Sequence, residues 1–446
     1  MSSWKLAGSA AGLLCALLIC SSCGDTYRPV ANPIISPGGN PQPINYAYIL
    51  FTNPNGPGGV PGDGTLEQID VSGDSVTLDV QVGRNPVYAS FTGTSTGEIF
   101  TANEEDGSVT QQSFLDVQPP SVITLPPGAQ PVSLGGTQAS AVYVVDTVQP
   151  SACPNGAVDV MTIGGVVTST VCVGKNPVAI TQLPNGGLVY IMNQSDNTVS
   201  VIDPISVQVI ATIPVGTSPV WASSNLNGSY VLVVNKGSNN LTAINTSNNT
   251  TTTIPVGTAP NYSFFDSNRN RLYVTNGGSN DVTVLDLSQG APKVLVPSVK
   301  MGTAGNPAVD PTSVVALQDG SRYYVANTGT NNVSVVDANS NTLVATTTTN
   351  PISLGAAAST AQPLWIESEP TSTKVYVTTP APPVGAYQSY NVNGAPGVTI
   401  IQTSDNSISN FLQAPQTDPN CQVNPNTNPP MTCTYQTPLQ ILTVAR

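Results

Sequence analysis

The sequence predicts an all-β fold assembled from repeated units of four short strands, and three observations predict it. Hydrophobic residues make up 39% of the 446-residue chain and charged residues only 8%, so a core is available but helices with a charged outer face are not. The apolar residues fall in short β-branched runs divided by Gly, Pro, Asn and Ser, the pattern of strands and turns. A Gly-x-x-Pro tetrapeptide recurs through the first half of the chain with its prolines 45, 46, 42 and 41 residues apart, a period that suits one four-stranded unit.

The tetrapeptides are Gly83-Arg84-Asn85-Pro86, Gly128-Ala129-Gln130-Pro131, Gly174-Lys175-Asn176-Pro177, Gly216-Thr217-Ser218-Pro219 and Gly257-Thr258-Ala259-Pro260. Pro311 and Pro363 read as degenerate copies at longer spacings of 51 and 52 residues. Between markers the signals keep a fixed order. Val178–Thr181 reads as a first strand (a), Leu188–Asn193 as a second (b), Thr198–Asp203 as a third (c) and Val207–Val215 as a fourth (d), with Pro-Asn-Gly-Gly and Gln-Ser-Asp-Asn turns between them. Such a meander, repeated, is one blade of a β-propeller.

The b-turn-c segment Tyr273-Val274-Thr275-Asn276-Gly277-Gly278-Ser279-Asn280-Asp281-Val282-Thr283-Val284-Leu285-Asp286 resembles the YVTN β-propeller repeat nearly letter for letter. Tyr324-Val325-Ala326-Asn327 through Val333-Ser334-Val335-Val336-Asp337 is a close second, and the resemblance spans most of residues 46–412. It implies the fold and leaves the activity open, because propellers of this type carry several functions.

Closure of the ring follows from the ends. Tyr46–Gly83 offers strands b, c and d without an a, whereas Pro438–Leu442 reads as a strand a with nothing after it. Pairing them removes the exposed edges and gives an eight-bladed propeller closed by a C-terminal strand joining the N-terminal blade. Seven blades is the alternative if one irregular repeat is an insertion.

Residues 1–23 read as an export signal: Lys5 precedes an apolar run, Leu6–Ile19, too short to span a bilayer comfortably. Cys20-Ser21-Ser22-Cys23-Gly24 resembles a bacterial lipobox, which implies diacylation of Cys23, although Cys20 stands where that pattern prefers Leu. Ordinary signal-peptidase cleavage is the alternative. Residues 24–45 hold five prolines and read as a semi-extended tether. Residues 46–446 then form one propeller domain, with a Pro/Asn-rich excursion at 413–437. An exported, lipid-anchored envelope protein is expected, held to the membrane by acyl chains alone, with the outer membrane or cell surface favoured.

Of seven cysteines, Cys15 and Cys20 would leave with the signal and Cys23 would carry lipid. The remainder form two local groups, Cys153 with Cys172 and Cys421 with Cys433. In an oxidising compartment these read as two disulfides, with free buried thiols as the alternative. The formal charge of −13 disfavours phosphate backbones, so nucleic acid is not an expected partner, and a monomer is expected.

The chain contains no histidine, so His-dependent hydrolysis and most transition-metal sites lose their usual residue. The lactonases and streptogramin lyases among related propellers rely on histidine or metal-binding acids, and no catalytic motif is recognisable here. No cofactor is expected. Calcium enters only through Asn103-Glu104-Glu105-Asp106-Gly107, where Glu104, Glu105 and Asp106 give the densest run of carboxylates. The Asn/Gly/Ser turns between strands b and c read first as structural, because Asn and Gly accept left-handed backbone conformations.

The position two residues after each blade-opening proline holds Tyr88, Ser133, Ala179, Trp221, Tyr262, Ser313, Trp365 and, in the composite blade, Gln440. Strand a is innermost, so this position approaches one mouth of the central channel. Tyr88, Trp221, Tyr262 and Trp365 could form a stacking ring for a sugar or flat ligand, with Arg84, Lys175 and Lys236 supplying charge from loops on the same face. Packing between blades, or plugging of the channel, is the competing reading. The leading functional expectation is a non-catalytic envelope lipoprotein whose propeller face binds a protein or glycan. A lactonase-like or lyase-like enzyme using channel-mouth carboxylates is the alternative, and a surface-layer or adhesion component a further one.

Overall fold

The computed structural model describes residues 45–54, 60–92, 97–113, 119–136, 141–148, 153–344, 350–354, 365–379, 396–417 and 434–445. The export signal, Cys23, almost all of the tether, Cys421 and Cys433 lie outside the described residues. Eight antiparallel sheets make eight blades, which rules out the seven-bladed alternative.

Blade 1 is the composite. Its strands b, c and d are Asn45–Asn53, Gly62–Asp70 and Ser75–Arg84, and its strand a is Thr437–Ala445 from the far end of the chain. The two chain ends pair from Asn45–Ala445 to Thr52–Thr437, so the ring is sealed by backbone hydrogen bonds rather than by side-chain contact alone. The inner strands of blades 2 to 8 begin at Pro86, Pro131, Pro177, Pro219, Pro260, Pro311 and Ile366. Blade 7 departs most from the pattern. Its outer edge is split into two short strands, Thr342–Leu343 and Ile352–Ser353, both paired with strand c; this is where the longer repeat spacing goes.

The core lies between blades. Strand b is flanked within its sheet by a and c and covered on both faces by neighbouring blades, so Arg271–Asn276 and Arg322–Asn327 are buried at every residue after the first. That burial explains the unbroken apolar runs of the b strands. Outer strands such as Gln208–Pro214 are mostly exposed or half-buried. Among the described residues each pair of adjacent blades has its own apolar cluster. Tyr273, Val282 and Val284 of blade 6 meet Tyr323, Val325 and Val336 of blade 7, with the Tyr273 and Tyr323 rings 4.3 Å apart. Blade 8 meets blade 1 through Tyr376, Val398 and Ile400 against Ile49, Phe51 and Ile441.

Strand a carries one irregularity in common. In blades 2 to 7 the register shifts between the opening proline and the residue two further on, and blade 1 repeats it between Pro438 and Gln440. Proline has no N–H to give the ladder, so a bulge beside it costs little. A bulge bends the strand and re-aims the next side chain, and here that is the side chain at the channel mouth.

Candidate functional site: the aromatic channel mouth

The loops around the channel are held by one bracket, repeated. Each regular strand b ends in a buried Asn, and its Nδ2 donates to the residues five and seven positions later at 2.8–3.1 Å. These are Asn103, Asn193, Asn235, Asn276 and Asn327, and the bonds clamp the b–c turn. The glycine of the marker that opens the same blade packs on this carboxamide. A Cβ at Gly216 or Gly257 would sit 2.7 Å from the Cγ of Asn235 or Asn276, which explains why glycine opens the marker.

A second bond fixes the marker itself. The backbone N–H after that glycine donates to the third turn residue: Arg84 N to Asp106 Oδ2 at 2.7 Å, Lys175 N to Asp196 at 2.7 Å, Thr217 N to Ser238 at 2.9 Å and Thr258 N to Ser279 at 2.9 Å. A third bond reaches the next blade. Asn197, Asn239 and Asn280, each with φ of 55–57°, accept from the N–H of Ser218, Ala259 and Asp310 at 2.8–2.9 Å. The asparagine turns are structural, with left-handed residues as their sequence predicts, and they also fasten one blade to the next.

This frame accounts for the acidic turn. Asp106 occupies the bracket position that Asp196, Ser238 and Ser279 fill elsewhere, and its other oxygen accepts from Arg84 Nε at 2.6 Å. Glu104 Oε2 accepts from Asn85 Nδ2 at 2.9 Å, and burial with the neighbouring Glu105 charge pushes the Glu104 carboxyl up. With Glu105 these residues line a 350 Å³ surface pocket shared with residues 124–130. Among the described residues no group of three or more acidic, Cys or His side chains is placed to hold a metal. Arg84, Lys175 and Lys236 are all exposed on the loop face, and Arg84 is committed to Asp106.

The four aromatic residues converge. Trp221 of blade 5 lies 4.9 Å from Tyr262 of blade 6, 6.3 Å from Trp365 of blade 8 and 6.4 Å from Tyr88 of blade 2, and Tyr262 lies 5.4 Å from Trp365. Blades 2, 5 and 8 are not neighbours, so these rings meet across the channel axis. Their planes are tilted by 42–70°, the favoured arrangement for aromatic quadrupoles. They plug the channel as well as line it, and Trp221 also packs into the clusters of blades 4, 5 and 6. All four keep partial exposure. Hydrogen bonds pin the cluster: Trp221 Nε1 donates to Ser263 O at 3.1 Å, and Ala89 N donates to Gln440 Oε1 at 2.8 Å. Burial raises the Tyr88 phenol to about 12 and lifts that of Tyr262 well above its ordinary value.

One residue of this site does not stand out in the sequence. Glu367 lies two positions beyond Trp365 on the same inner strand, and its charge acts on Tyr262 across the channel. Burial pushes its carboxyl up to about 8; the Ser368 N–H and the Trp365 indole N–H oppose that rise. Ser368 N stands 3.3 Å from Glu367 Oε1. The indole N–H is near enough to be felt, yet it falls short of a complete hydrogen bond and is otherwise unpartnered. The residue retains some accessible surface. The equivalent positions in the other blades are Ser90, Gly135, Thr181, Ser223, Phe264, Val315 and Leu442. A single acid among eight equivalents was the available signal.

The disulfide Cys153–Cys172 is formed, with a Cα–Cα distance of 5.1 Å. It lies in blade 3, where Cys172 ends the outer strand Val167–Cys172, away from the channel.

No family model matches the chain, and no curated protein does. Among solved structures it is similar to Kuenenia stuttgartiensis hydrazine synthase, with a TM-score of 0.51 at 17% identity over 72% of this chain and 96% of the other. It is likewise similar to the dihydro-heme d1 dehydrogenase NirN, in complex with DHE, with a TM-score of 0.61 at 10% identity over 91% and 76%. A protein of unknown function from Desulfotomaculum acetoxidans gives 0.50 at 14% over 69% and 97%. At such identities the likeness shows the fold, an eight-bladed β-propeller, and nothing of the chemistry.

Proposed function

We propose that this chain is a YVTN-type envelope lipoprotein, anchored through Cys23, whose propeller binds a protein or glycan partner at the channel mouth without catalysis. The observation that carries the reading is the convergence of Tyr88, Trp221, Tyr262 and Trp365 on the channel axis, partly exposed and framed by loops that the bracket holds in place. Aromatic surface offers stacking at little conformational cost. The absence of histidine from the sequence takes away the usual general base, and the Cys153–Cys172 bridge accords with an oxidising compartment.

One feature favours the enzymatic alternative: burial pushes the Glu367 carboxyl up to about 8, a range suited to a general acid. A glycan and envelope-extract binding screen, with calcium present or chelated, separates the readings. A saturable partner, unchanged in structure and lost in the Trp221→Ala/Trp365→Ala double variant, supports the channel-mouth site. Turnover of a captured ligand that stops in Glu367→Gln supports the enzyme, and calcium dependence directs attention to Glu104, Glu105 and Asp106. Retained binding in the double variant removes the channel mouth from the account. Palmitate labelling that is lost in Cys23→Ser tests the anchor.

A further inference from the structure

We propose that the channel mouth recognises an organic ammonium group, with Tyr88, Trp221, Tyr262 and Trp365 presenting ring surface and Glu367 supplying the counter-charge. The inference rests on the reading of the channel mouth as a ligand site and adds the chemistry of the ligand.

Among the described residues Glu367 is an acid without a cation of its own. The inner strand of blade 7, Pro311–Ala316, and that of blade 1, Thr437–Ala445, carry no ionisable side chain. Strand b of its own blade carries Lys374 and Tyr376, and both are bound to Asp74, at 2.7 and 3.0 Å. Glu369, two residues on, accepts from the hydroxyls and backbone N–H groups of Thr371 and Thr373. Tyr262 of blade 6 feels the Glu367 charge, and Arg322, on the strand b of blade 7 that packs against this strand, is bound to Thr403 O and Asn406 Oδ1. An acid kept in such surroundings lacks a positive partner from the protein, and aromatic faces attract cations through their quadrupole.

The rest of the molecule argues in the same direction. A formal charge of −13 draws cations toward the protein and repels anions. A neutral sugar would use the rings but gives no role to the carboxyl. An anion would meet both the carboxyl and the overall field. The four rings and Glu367 all keep partial exposure.

In the free protein Glu367 carries its proton at neutral pH, as burial dictates. When the ammonium group arrives, the carboxyl O–H ionises, its proton passes to bulk buffer, and the carboxylate pairs with the cation. The Ser368 N–H already lies on the carboxyl, and the unpartnered Trp365 indole N–H stands close enough to complete a bond to the ionised form. Binding therefore releases a proton below the carboxyl's own titration range, and affinity rises with pH until that range is passed.

Choline and its uncharged isostere 3,3-dimethyl-1-butanol make the test, by calorimetry on the full-length chain in maltoside detergent, using buffers of different ionisation enthalpy. Choline is expected to bind at least about tenfold tighter than the isostere, with about one proton released near pH 6.5 and almost none near pH 9. Glu367→Gln, which keeps the shape of the protonated acid, should lose about tenfold in affinity and all of the proton release. If that variant does not fold, Trp365→Phe keeps a ring and removes the N–H, and its pH dependence should shift upward. Equal binding of the isostere, no choline binding, or binding without proton release overturns the inference. A neutral oligosaccharide that binds where choline does not would overturn it while leaving the channel-mouth reading intact.

Discussion

The bracketed turns and the channel mouth are built from equivalent positions of the same repeats, and they have diverged to different degrees. At the end of strand b, Asn103, Asn193, Asn235, Asn276 and Asn327 perform the same pair of hydrogen bonds in five blades. At the channel mouth the equivalent positions hold Tyr, Ser, Ala, Trp, Tyr, Ser, Trp and Gln. A position that does the same physical work from blade to blade keeps the same residue in those blades. A position where the blades converge on one axis is freed from that demand, because eight copies of one large side chain would not fit a single channel. Sameness marks the fold, and difference among equivalents marks where a single site can be assembled.

Breaking the ring should give the largest effect. Deleting residues 437–446 removes the inner strand of blade 1 and exposes the edge of Asn45–Asn53. Cooperative thermal unfolding should disappear and the protein should aggregate. Breaking one bracket comes next. Asn276→Leu abandons two buried bonds, while Asp281 keeps Ser279 and Thr283 keeps the Pro297 carbonyl, at a cost of about 3 kcal/mol, read from urea unfolding. Opening the disulfide with Cys153→Ser/Cys172→Ser should cost about 3 kcal/mol or less, since the closed loop is short. Channel substitutions are expected to cost least. Trp365→Phe at the mouth should lower stability by about 1 kcal/mol while altering binding, which would sharpen the contrast between the two regions; a loss as large as that of Asn276→Leu would erase it.

The repeat was legible because its causes are local. Gly216 and Gly257 are glycine for the carboxamide packed on them, the Asn turns need left-handed backbone, and the apolar b strands reflect burial on both faces. The composite blade was legible too, since an orphan strand at each end can satisfy only the other. The channel was half legible. Its aromatic positions follow from counting past each proline, but contact between rings of blades 2, 5 and 8 depends on the radius of the ring, which no local pattern encodes. Glu367 was hidden because its marker, Pro363, is degenerate and because one acid in a strand has no periodic signature. The run at Glu104, Glu105 and Asp106 shows the opposite effect: acids that stand together in sequence include one, Asp106, that serves the bracket.

The central claim, that the channel mouth holds an uncompensated acid with a raised pKa rather than inert filling, is tested most directly by the pH dependence of stability. A carboxyl whose folded pKa is raised to about 8 stabilises the folded state fully below its unfolded value, and that stabilisation is lost as pH rises toward 8. The carboxylates of Asp203, Asp286, Asp337 and Asp405 are lowered, so their contribution is lost only in more acid solution; Glu104, which burial also raises, is common to both proteins, so the difference between wild type and variant isolates Glu367. Urea unfolding between about pH 5 and pH 8 should show the wild-type chain losing on the order of 1 kcal/mol per pH unit, and Glu367→Gln should flatten that slope. Parallel curves for the two proteins would mean that Glu367 titrates as a solvated surface acid, and the account of the channel would fail.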